Sequence, residues 1–318
     1  MTVGAGTDRG VFRHIALLYR SPQEYLDYLV PYVTDSVAAG IPVLVAVPEP
    51  NLSLLRDALP AGAVESVSLS DMAQVGRNPS HILGGVMEAF AARHPSGPVR
   101  MVGEPVWSGR SKLEYPACVQ HEALVNEAFA GRDITVLCPY DAASLDADIL
   151  VDAEITHPRL GRFGHPERNS AGFAPEAAWT RYNEPLPGSP MAASYTLHRL
   201  TDLAGARKFS AKYARWFGFS TADIADLQLI VNELASNSLQ HGLGPCTLLL
   251  WAADDQLICQ ARDAGRMTDR LAGRRAIVND YDHGCGLFVV NATADLVRIH
   301  TAASGTTVQA HLRMRKLA

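Results

Sequence analysis

The stretch VNELASNSLQHG, residues 231–242, places an acid, an amide and an imidazole at intervals of four residues. Since residues four apart are neighbours on a helix, Glu233, Asn237 and His241 follow one another along a single flank. Apolar positions of this region also recur at helical spacing, which predicts a helix over about 221–241. Its core stripe consists of Leu227, Ile230, Val231, Leu234 and Ser238. Glu and Asn at this spacing are by themselves ordinary solvated helix surface, so their meaning depends on the neighbouring segments.

Three further segments after this helix suit the binding of a phosphorylated ligand. DAG at 263–265 follows a predicted strand, HGCGL at 283–287 opens an apolar helix, and SGTT at 304–307 enters a final strand. Glycine lets a backbone approach a ligand closely, and a helix amino terminus can direct amide donors at phosphate oxygens. From residue 194 onward, helices and strands are segregated along the chain. This order predicts an α+β two-layer sandwich, with helices on one face of a mixed or antiparallel sheet.

In this order, the segments resemble the ATP-binding domain of histidine kinases, type II topoisomerases and bacterial anti-sigma-factor serine/threonine kinases. The resemblance covers residues 194–318, is closest to the anti-sigma kinases, and implies the Bergerat fold of the GHKL superfamily, with ATP and Mg²⁺ as ligands. It implies that Glu233 activates the attacking water or hydroxyl, that Asn237 coordinates Mg²⁺, and that Asp263 accepts a hydrogen bond from the adenine amino group. Further nucleotide contacts are implied for Gly265, Gly284, Gly286, Leu287 and Thr306.

Several features near this expected site depart from the family pattern or have a simpler explanation. Met267 stands where the pattern has its second glycine, and a side chain there is expected to narrow the adenine pocket. The segment 266–283 would form a lid, whose arginines either neutralise phosphate charge or remain solvated. Thr306 either donates to a phosphate or is an ordinary strand threonine. His241 ends its helix, where it meets the negative end of the helix dipole.

A histidine kinase would also need a phosphoacceptor histidine on a long helical hairpin. The preceding segment, 156–193, is instead interrupted by six prolines and has no helical periodicity. Its aromatic residues Phe173, Trp179 and Tyr182 predict a linker that packs on a domain surface. This organisation favours a protein that phosphorylates serine or threonine on a separate partner, or one that only captures a sigma factor.

The first half of the chain alternates apolar runs with amphipathic stretches, which predicts an α/β domain with a largely parallel sheet covered on both faces. Strands are predicted at 14–19, 43–47, 64–69, 99–103 and 134–138, with helices at 22–39, 50–59, 79–93, 114–130 and 142–153. The sequence has no G-x-x-x-x-G-K-[ST] motif, which argues against a P-loop ATPase in this half.

The motifs RHIALLY, GEPVW, HEALVNEAF, LCPYDA and THP resemble the MEDS sensory domain, over residues 11–185. That resemblance implies a small-molecule ligand, and several motif residues fall at strand ends or on a helix, where α/β sheets form clefts. The candidate pocket residues are His14, Glu104, Trp107, His121, Glu122, Tyr140 and Asp141. Two alternatives stay open: these side chains serve only the core and its buried polar groups, or Cys118, His121 and Cys138 bind a metal.

Composition sets further limits. The formal charge of −5 and the absence of a large basic patch predict no direct nucleic-acid partner. The start of the chain lacks the features of a secretory signal, and no apolar run is long enough to cross a bilayer, which predicts a cytoplasmic protein without a membrane partner. Its five cysteines are scattered and odd in number, which favours reduced thiols.

Together these features predict a bacterial regulator with a MEDS-like domain at 11–155, a linker at 156–193 and an ATPase domain at 194–318. The resemblance implies that it sequesters a sigma factor and, with Mg-ATP, phosphorylates a STAS-type anti-anti-sigma protein, under the control of its sensory half. Relatives of the output domain pair, so a homodimer is expected. Two other functions stay open: a partner-switching module with a degenerate nucleotide site, and a ligand sensor that binds no nucleotide.

Overall fold

The computed structural model describes residues 12–275 and 285–313, which divide into two compact units. The first unit holds the described residues up to Gly76 together with Val86–Trp179. The second holds Arg77–Gly85 together with the described residues from Thr180 onward. Each unit is therefore assembled from two separate stretches of chain.

The first unit is built on a seven-stranded sheet in the order β3-β2-β4-β5-β1-β6-β7. Its neighbouring strands run parallel, except that β7 is antiparallel to β6. The predicted α/β domain with a largely parallel sheet is confirmed. Continuous apolar runs such as VLVAV are buried along their whole length, as expected for strands inside a parallel sheet. The strands are Arg13–Tyr19 (β1), Val43–Val47 (β2), Val67–Asp71 (β3), Val99–Gly103 (β4), Ile134–Asp141 (β5), Arg159–Arg162 (β6) and His165–Asn169 (β7).

Two predicted elements of this half differ from the structure. The run predicted as a strand at 64–69 is divided, because a short helix continues to Ser66 and the strand begins only at Val67. A short apolar run does not by itself distinguish helix from strand. The helix predicted at 79–93 contains a π-helical segment, Ile82–Glu88, around a pair of glycines. The helices are Pro22–Ala38 (α1), Asn51–Ala58 (α2), Ala61–Ser66 (α3), Met72–Val75 (α4), Pro79–His81 (α5), Ala89–Ala92 (α6), Tyr115–Ala128 (α7), Ala147–Thr156 (α8) and Pro175–Arg181 (α9).

The second unit contains a five-stranded antiparallel sheet in the order β11-β12-β10-β9-β8. Helices pack on this sheet, and the predicted α+β sandwich is confirmed. The longest helix occupies the range that periodicity predicts, and it begins after Ser220, whose hydroxyl accepts from the Asp223 amide. The strands are Ala193–Leu197 (β8), Cys246–Ala253 (β9), Gln256–Asp263 (β10), Leu296–Ala302 (β11) and Gly305–Arg313 (β12). The helices are Leu203–Trp216 (α10), Thr221–His241 (α11) and Cys285–Thr293 (α12), with a 3₁₀ turn at Leu200–Asp202.

The segment 156–193, predicted as a linker, carries regular structure. It supplies β6, β7 and the whole of α9, and its later part belongs to the second unit. The side chain of Asn183 donates to the Thr301 carbonyl at 2.8 Å and accepts from the Thr301 amide at 3.0 Å. Because Thr301 lies on β11 at the edge of the sheet, Asn183 satisfies backbone groups that have no neighbouring strand.

We expect Asn183→Ala to lower the free energy of unfolding of the second unit by about 1–2 kcal/mol, because two backbone groups of Thr301 lose their partner. Asn183→Asp keeps an acceptor for the Thr301 amide but turns a second acceptor toward the Thr301 carbonyl, so it should also destabilise the unit. Urea denaturation of the full chain, followed by far-ultraviolet circular dichroism, measures both variants. Wild-type stability of both would contradict the assignment of these hydrogen bonds to Asn183.

The stretch Arg77–Gly85 belongs to the second unit, although its sequence lies within the first half of the chain. The buried side chain of Asn78 donates to the Asn291 carbonyl at 2.8 Å and accepts from the Val297 amide at 3.2 Å. Arg77 donates to the carbonyl of Thr293, the last residue of α12. This short stretch therefore supplies hydrogen-bond partners for backbone groups at the carboxyl-terminal end of α12 and at the start of β11.

All five cysteines lie among the described residues, and none of them forms a disulfide. No helix in the described ranges has both the length and the apolar character needed to cross a bilayer.

Candidate functional site

Helices α11 and α12 bring the predicted acid and amide together against a glycine. A methyl group added at Gly286 would lie 2.7 Å from Glu233 Oε2 and 3.0 Å from Asn237 Nδ2. The backbone of α12 can approach α11 this closely only because Gly286 has no side chain. The Asn237 Nδ2 atom is buried and has no hydrogen-bond partner among the described residues. A buried polar atom of this kind is costly unless a ligand or ion satisfies it.

The carboxylate of Glu233 is held by a short polar relay on the side away from Gly286. Its Oε1 accepts from Asn232 Nδ2 at 3.1 Å, and Asn232 Oδ1 in turn accepts from the guanidinium of Arg207 on α10. One carboxylate oxygen is thus fixed, while Oε2 faces Gly286. The relay gives the carboxylate a defined orientation at the end that faces α12.

The second predicted acid, Asp263, lies at the end of β10 in a tight turn. Its Oδ1 accepts from the Gly265 amide at 2.7 Å. A side chain at Gly242 would collide with the Asp263 carboxyl group, and one at Gly265 would come within 2.6 Å of the Gly242 Cα. The Ala264 amide also donates to the Leu243 carbonyl at 3.1 Å, which ties this turn to the end of α11. Two glycines are therefore needed where Asp263 meets α11.

Thr306 and Met267 form the neighbouring part of this turn. The Thr306 hydroxyl donates to the Gly265 carbonyl at 2.7 Å and accepts from the Met267 amide at 3.1 Å. The hydroxyl proton of Thr306 is therefore used within the protein. This geometry gives Thr306 a role in shaping the loop beside Asp263, the residue with which it pairs on the adjacent strand. The Met267 side chain packs against the core of the unit.

A cavity of about 520 Å³ opens between these elements, which is within the usual range for small-molecule sites. Its wall combines the polar residues of α11 and β10 with apolar groups and two arginines. Among its lining residues are Asn237, His241, Asp263, Gly265, Arg266, Met267, Arg275, Leu287 and Thr306. The cavity remains open with the Met267 side chain in its wall. Asp269 pairs with Arg275 at 3.2 Å.

The structure thus gathers most of the residues predicted for the nucleotide site. Asn237, Asp263, Gly265, Leu287 and Thr306 line one cavity, and Glu233 and Gly286 contact each other beside Asn237. Gly284 lies outside the described residues, as does the later part of the predicted lid.

The predicted sensory residues of the first unit are divided among separate clusters. The buried Glu104, just beyond β4, accepts from Asn51 Nδ2 at 3.0 Å and from the Tyr19 hydroxyl at 3.3 Å. Burial raises the pKa of Glu104 to about 8, although these hydrogen bonds act in the opposite direction. The Arg110 guanidinium instead lies over the Trp107 ring, with the guanidinium carbon 4.0 Å from the ring centroid.

Asp141 has a local role, because its carboxylate accepts from the Ala143 amide and from the Ser144 hydroxyl. His121 is buried on α7. His14 and Tyr140, by contrast, both reach the buried carboxylate of Glu122 on α7. The expectation of one pocket lined by all of these residues is therefore not what the geometry shows.

Glu122 is the centre of a buried polar cluster that includes one further histidine. His157 Nε2 lies 3.4 Å from Glu122 Oε2, and Cys138 Sγ lies 3.4 Å from the same oxygen. The proposed trio of Cys118, His121 and Cys138 does not assemble, since only Cys138 belongs to this cluster. Sequence reasoning did not assign a role to His157, although the motif THP, at 156–158, contains it.

Comparison with known families identifies the two units. A family described as "MEDS: MEthanogen/methylotroph, DcmR Sensory domain" matches residues 13–158, and one described as "Histidine kinase-like ATPase domain" matches residues 197–312. The second unit thus carries a histidine kinase-like ATPase domain, a class that implies nucleotide binding. The chain as a whole joins a MEDS sensory domain to that ATPase domain.

Similarity to individual proteins is more distant. The crystal structure of the RsbU and RsbW domains of Rv1364c from Mycobacterium tuberculosis aligns at 19% identity with a TM-score of 0.31. The alignment covers 40% of this chain and 34% of that chain, so it spans about a third of the solved protein. No curated protein matches the sequence significantly.

Proposed function

We propose that the second unit is an ATP-dependent protein kinase and anti-sigma module, controlled by the MEDS unit. The observation that carries this proposal is the pairing of Glu233 with Asn237 against Gly286, next to a cavity lined by Asp263. The buried Nδ2 of Asn237 has no partner among the described residues, and this N–H donor suits a phosphate oxygen as its acceptor. The resemblance of the sequence motifs to anti-sigma kinases indicates the substrate class, which is a serine or threonine of a separate partner protein.

Each residue has a role that follows from its chemistry. Asp263 would accept from an adenine amino group, and Asn237 would offer its amide oxygen to Mg²⁺. Mg-ATP, when bound, supplies the phosphoryl group. Glu233 would accept the proton of the attacking serine or threonine hydroxyl, with its carboxylate oriented by Asn232. Arg266 and Arg275 line the cavity and would offset phosphate charge.

The partners proposed for this unit are a sigma factor and a STAS-type anti-anti-sigma protein, with a homodimer as the assembly. A small molecule that binds the MEDS unit would set the balance between them. The sensory and ATPase domains proposed are 11–155 and 194–318, and the segment 156–193 between them adds β6, β7 and α9. The protein would act in the cytoplasm, without direct contact with nucleic acid or membrane.

Glu233→Gln should reduce phosphoryl transfer from labelled ATP to a STAS-type antagonist at least about 100-fold, because the general base is lost. Calorimetry should still show nucleotide binding by this variant, whereas Asn237→Ala should weaken Mg-ATP binding. Gln240→Ala, an exposed change on the same helix, is the matched control and should leave both properties unchanged.

The alternatives give different results in these experiments. If the wild-type chain binds nucleotide and a sigma factor but transfers no phosphoryl group to any antagonist, the unit is a partner-switching module without catalysis. If calorimetry detects no nucleotide binding by the wild-type chain, the protein is a ligand sensor with a structural second domain.

A further inference from the structure

Four side chains inside the first unit direct potential metal ligands at one point. They are His14 on β1, Glu122 on α7, Cys138 on β5 and His157 directly after α8, and all four are buried. One nitrogen, oxygen or sulfur atom from each lies within 4.8 Å of the corresponding atoms of the others. This cluster is distinct from the nucleotide cavity and is independent of the function proposed for it.

Four of the six distances between ligand atoms in this cluster are close to those of a tetrahedral metal site. With zinc-to-ligand bonds of the usual lengths, two ligand atoms of a tetrahedron are about 3.4–3.6 Å apart. His14 Nε2 lies 3.5 Å from Cys138 Sγ, and Glu122 Oε2 lies 3.4 Å from both Cys138 Sγ and His157 Nε2. A fourth distance, from His14 Nε2 to Glu122 Oε2, is 3.1 Å, and the two remaining distances are within 4.8 Å. Small side-chain movements would admit an ion.

The outer hydrogen bonds of the two imidazoles fix which nitrogen atoms face the centre. His157 Nδ1 lies 2.9 Å from the Ala153 carbonyl, which can only accept, so Nδ1 carries the proton. Asn126 donates its amide nitrogen to the Thr156 carbonyl at 2.8 Å, which turns its oxygen toward His14 Nδ1 at 3.2 Å. His14 therefore also holds its proton on Nδ1. Each neutral ring then presents a bare Nε2 lone pair to the centre, as metal-bound histidines do.

These lone pairs face a carboxylate that is itself only an acceptor. His157 Nε2 makes no hydrogen bond among the described residues, although it lies next to Glu122. Two additional protons would satisfy the contacts but would leave excess positive charge in a buried site. A divalent cation satisfies all the lone pairs at once.

The charge balance and the outer contacts also favour a metal. A divalent ion bound to one carboxylate, one thiolate and two neutral imidazoles gives a site of zero net charge, once the Cys138 proton is released to solvent. The Tyr140 hydroxyl donates to Glu122 Oε1 at 3.2 Å and so leaves Oε2 for the centre. Imidazole, carboxylate and thiolate ligands together suit borderline ions such as Zn²⁺ better than Ca²⁺ or Mg²⁺.

We propose that His14, Glu122, Cys138 and His157 form a closed, four-ligand site for a divalent transition metal of the Zn²⁺ class. Four protein ligands with no open position are typical of a metal that stabilises or reports a conformation and does not activate a substrate. Such an ion would join β1, β5, α7 and the end of α8 at one point in the sensory unit.

Cobalt(II) is the probe for this site, used with the full chain after removal of bound metal by a chelator. One equivalent should bind, giving the visible bands of tetrahedral cobalt and a near-ultraviolet band from thiolate coordination, and Zn²⁺ should displace it. Cys138→Ala should lose the near-ultraviolet band, and His157→Ala should weaken cobalt binding at least about 100-fold. Cys118→Ala, a buried cysteine on α7 outside the cluster, is the control and should keep the wild-type spectrum.

X-ray absorption of the zinc-loaded wild-type chain keeps the test independent of how the variants fold. One sulfur and three nitrogen or oxygen neighbours are expected around the ion. The proposal is overturned if the folded wild-type chain binds neither ion, if the shell contains no sulfur or more than one, or if folded Cys138→Ala keeps the thiolate band.

Discussion

Gly286→Ala is expected to reduce the affinity for Mg-ATP at least about 100-fold, which corresponds to about 2.7 kcal/mol. The added methyl group would lie 2.7 Å from Glu233 Oε2 and 3.0 Å from Asn237 Nδ2. Real Cβ atoms do not approach a carboxylate oxygen that closely, so α12 or the two α11 side chains must move. Either movement changes the position of Asn237, the proposed Mg²⁺ ligand, relative to the α12 backbone that would approach the phosphates. Titration of a fluorescent ATP analogue into the full chain measures the loss.

Gly188→Ala is the matched control, because a methyl group added there meets no atom within 4 Å. It should bind nucleotide like the wild type. Thermal unfolding of both variants separates a loss of binding from a loss of fold, since only the affinity of Gly286→Ala should change greatly. Wild-type affinity in a folded Gly286→Ala chain would show that the contact between α11 and α12 does not belong to a nucleotide site.

The second large effect is expected from Glu104→Gln and depends on pH. The pKa of Glu104 is about 8 in the folded protein, against an ordinary value of 4.5, because burial disfavours the charged form. The unfolded chain loses this proton near pH 4.5, whereas the folded chain keeps it until about pH 8. The contribution of Glu104 to stability is therefore complete below pH 4.5 and is lost as the pH rises to 8. At 1.36 kcal/mol per unit, the loss is at most about 5 kcal/mol.

Glutamine does not titrate, so the stability of Glu104→Gln relative to wild type should rise as the pH increases from 5 to 8. Any pH-independent cost of placing a second amide beside Asn51 cancels in this comparison. Denaturant unfolding of the full chain at several pH values measures the difference. Glu65→Gln, on the exposed face of α3, should show no such trend relative to wild type. A flat difference for Glu104→Gln would mean that the folded protein holds this carboxyl group in its charged form.

Sequence patterns predicted the second unit better than the first, and the reason is the length of the periodic segments. Helix α11 has enough turns for its apolar stripe to define both ends, and the four strands after it are seven to nine residues long. The strand predicted at 64–69 has no such support, and its predicted start lies inside α3. The two glycines of the π-helical segment also do not allow the change from α-helical to π-helical geometry to be predicted from the sequence.

The gathering of site residues from distant positions was predictable only through motif resemblance. Spacing placed Glu233 and Asn237 on one flank, but no local pattern shows that Gly286 contacts both or that Asn232 orients the carboxylate. The cluster around Glu122 was harder still, because its ligands come from four elements and none is paired closely in sequence. Such sites depend on sheet order, which periodicity does not give.

The assignment of Arg77–Gly85 to the second unit has a practical consequence for dissecting the protein. A fragment that begins at Thr180 would lack Asn78, so the Asn291 carbonyl and the Val297 amide would lose their side-chain partner. Poor expression or weak activity of such a truncated product would reflect this missing piece and not a requirement for sensory input. Chimeras that exchange the ATPase portion between related regulators should carry the nine-residue insert along with the carboxyl-terminal part.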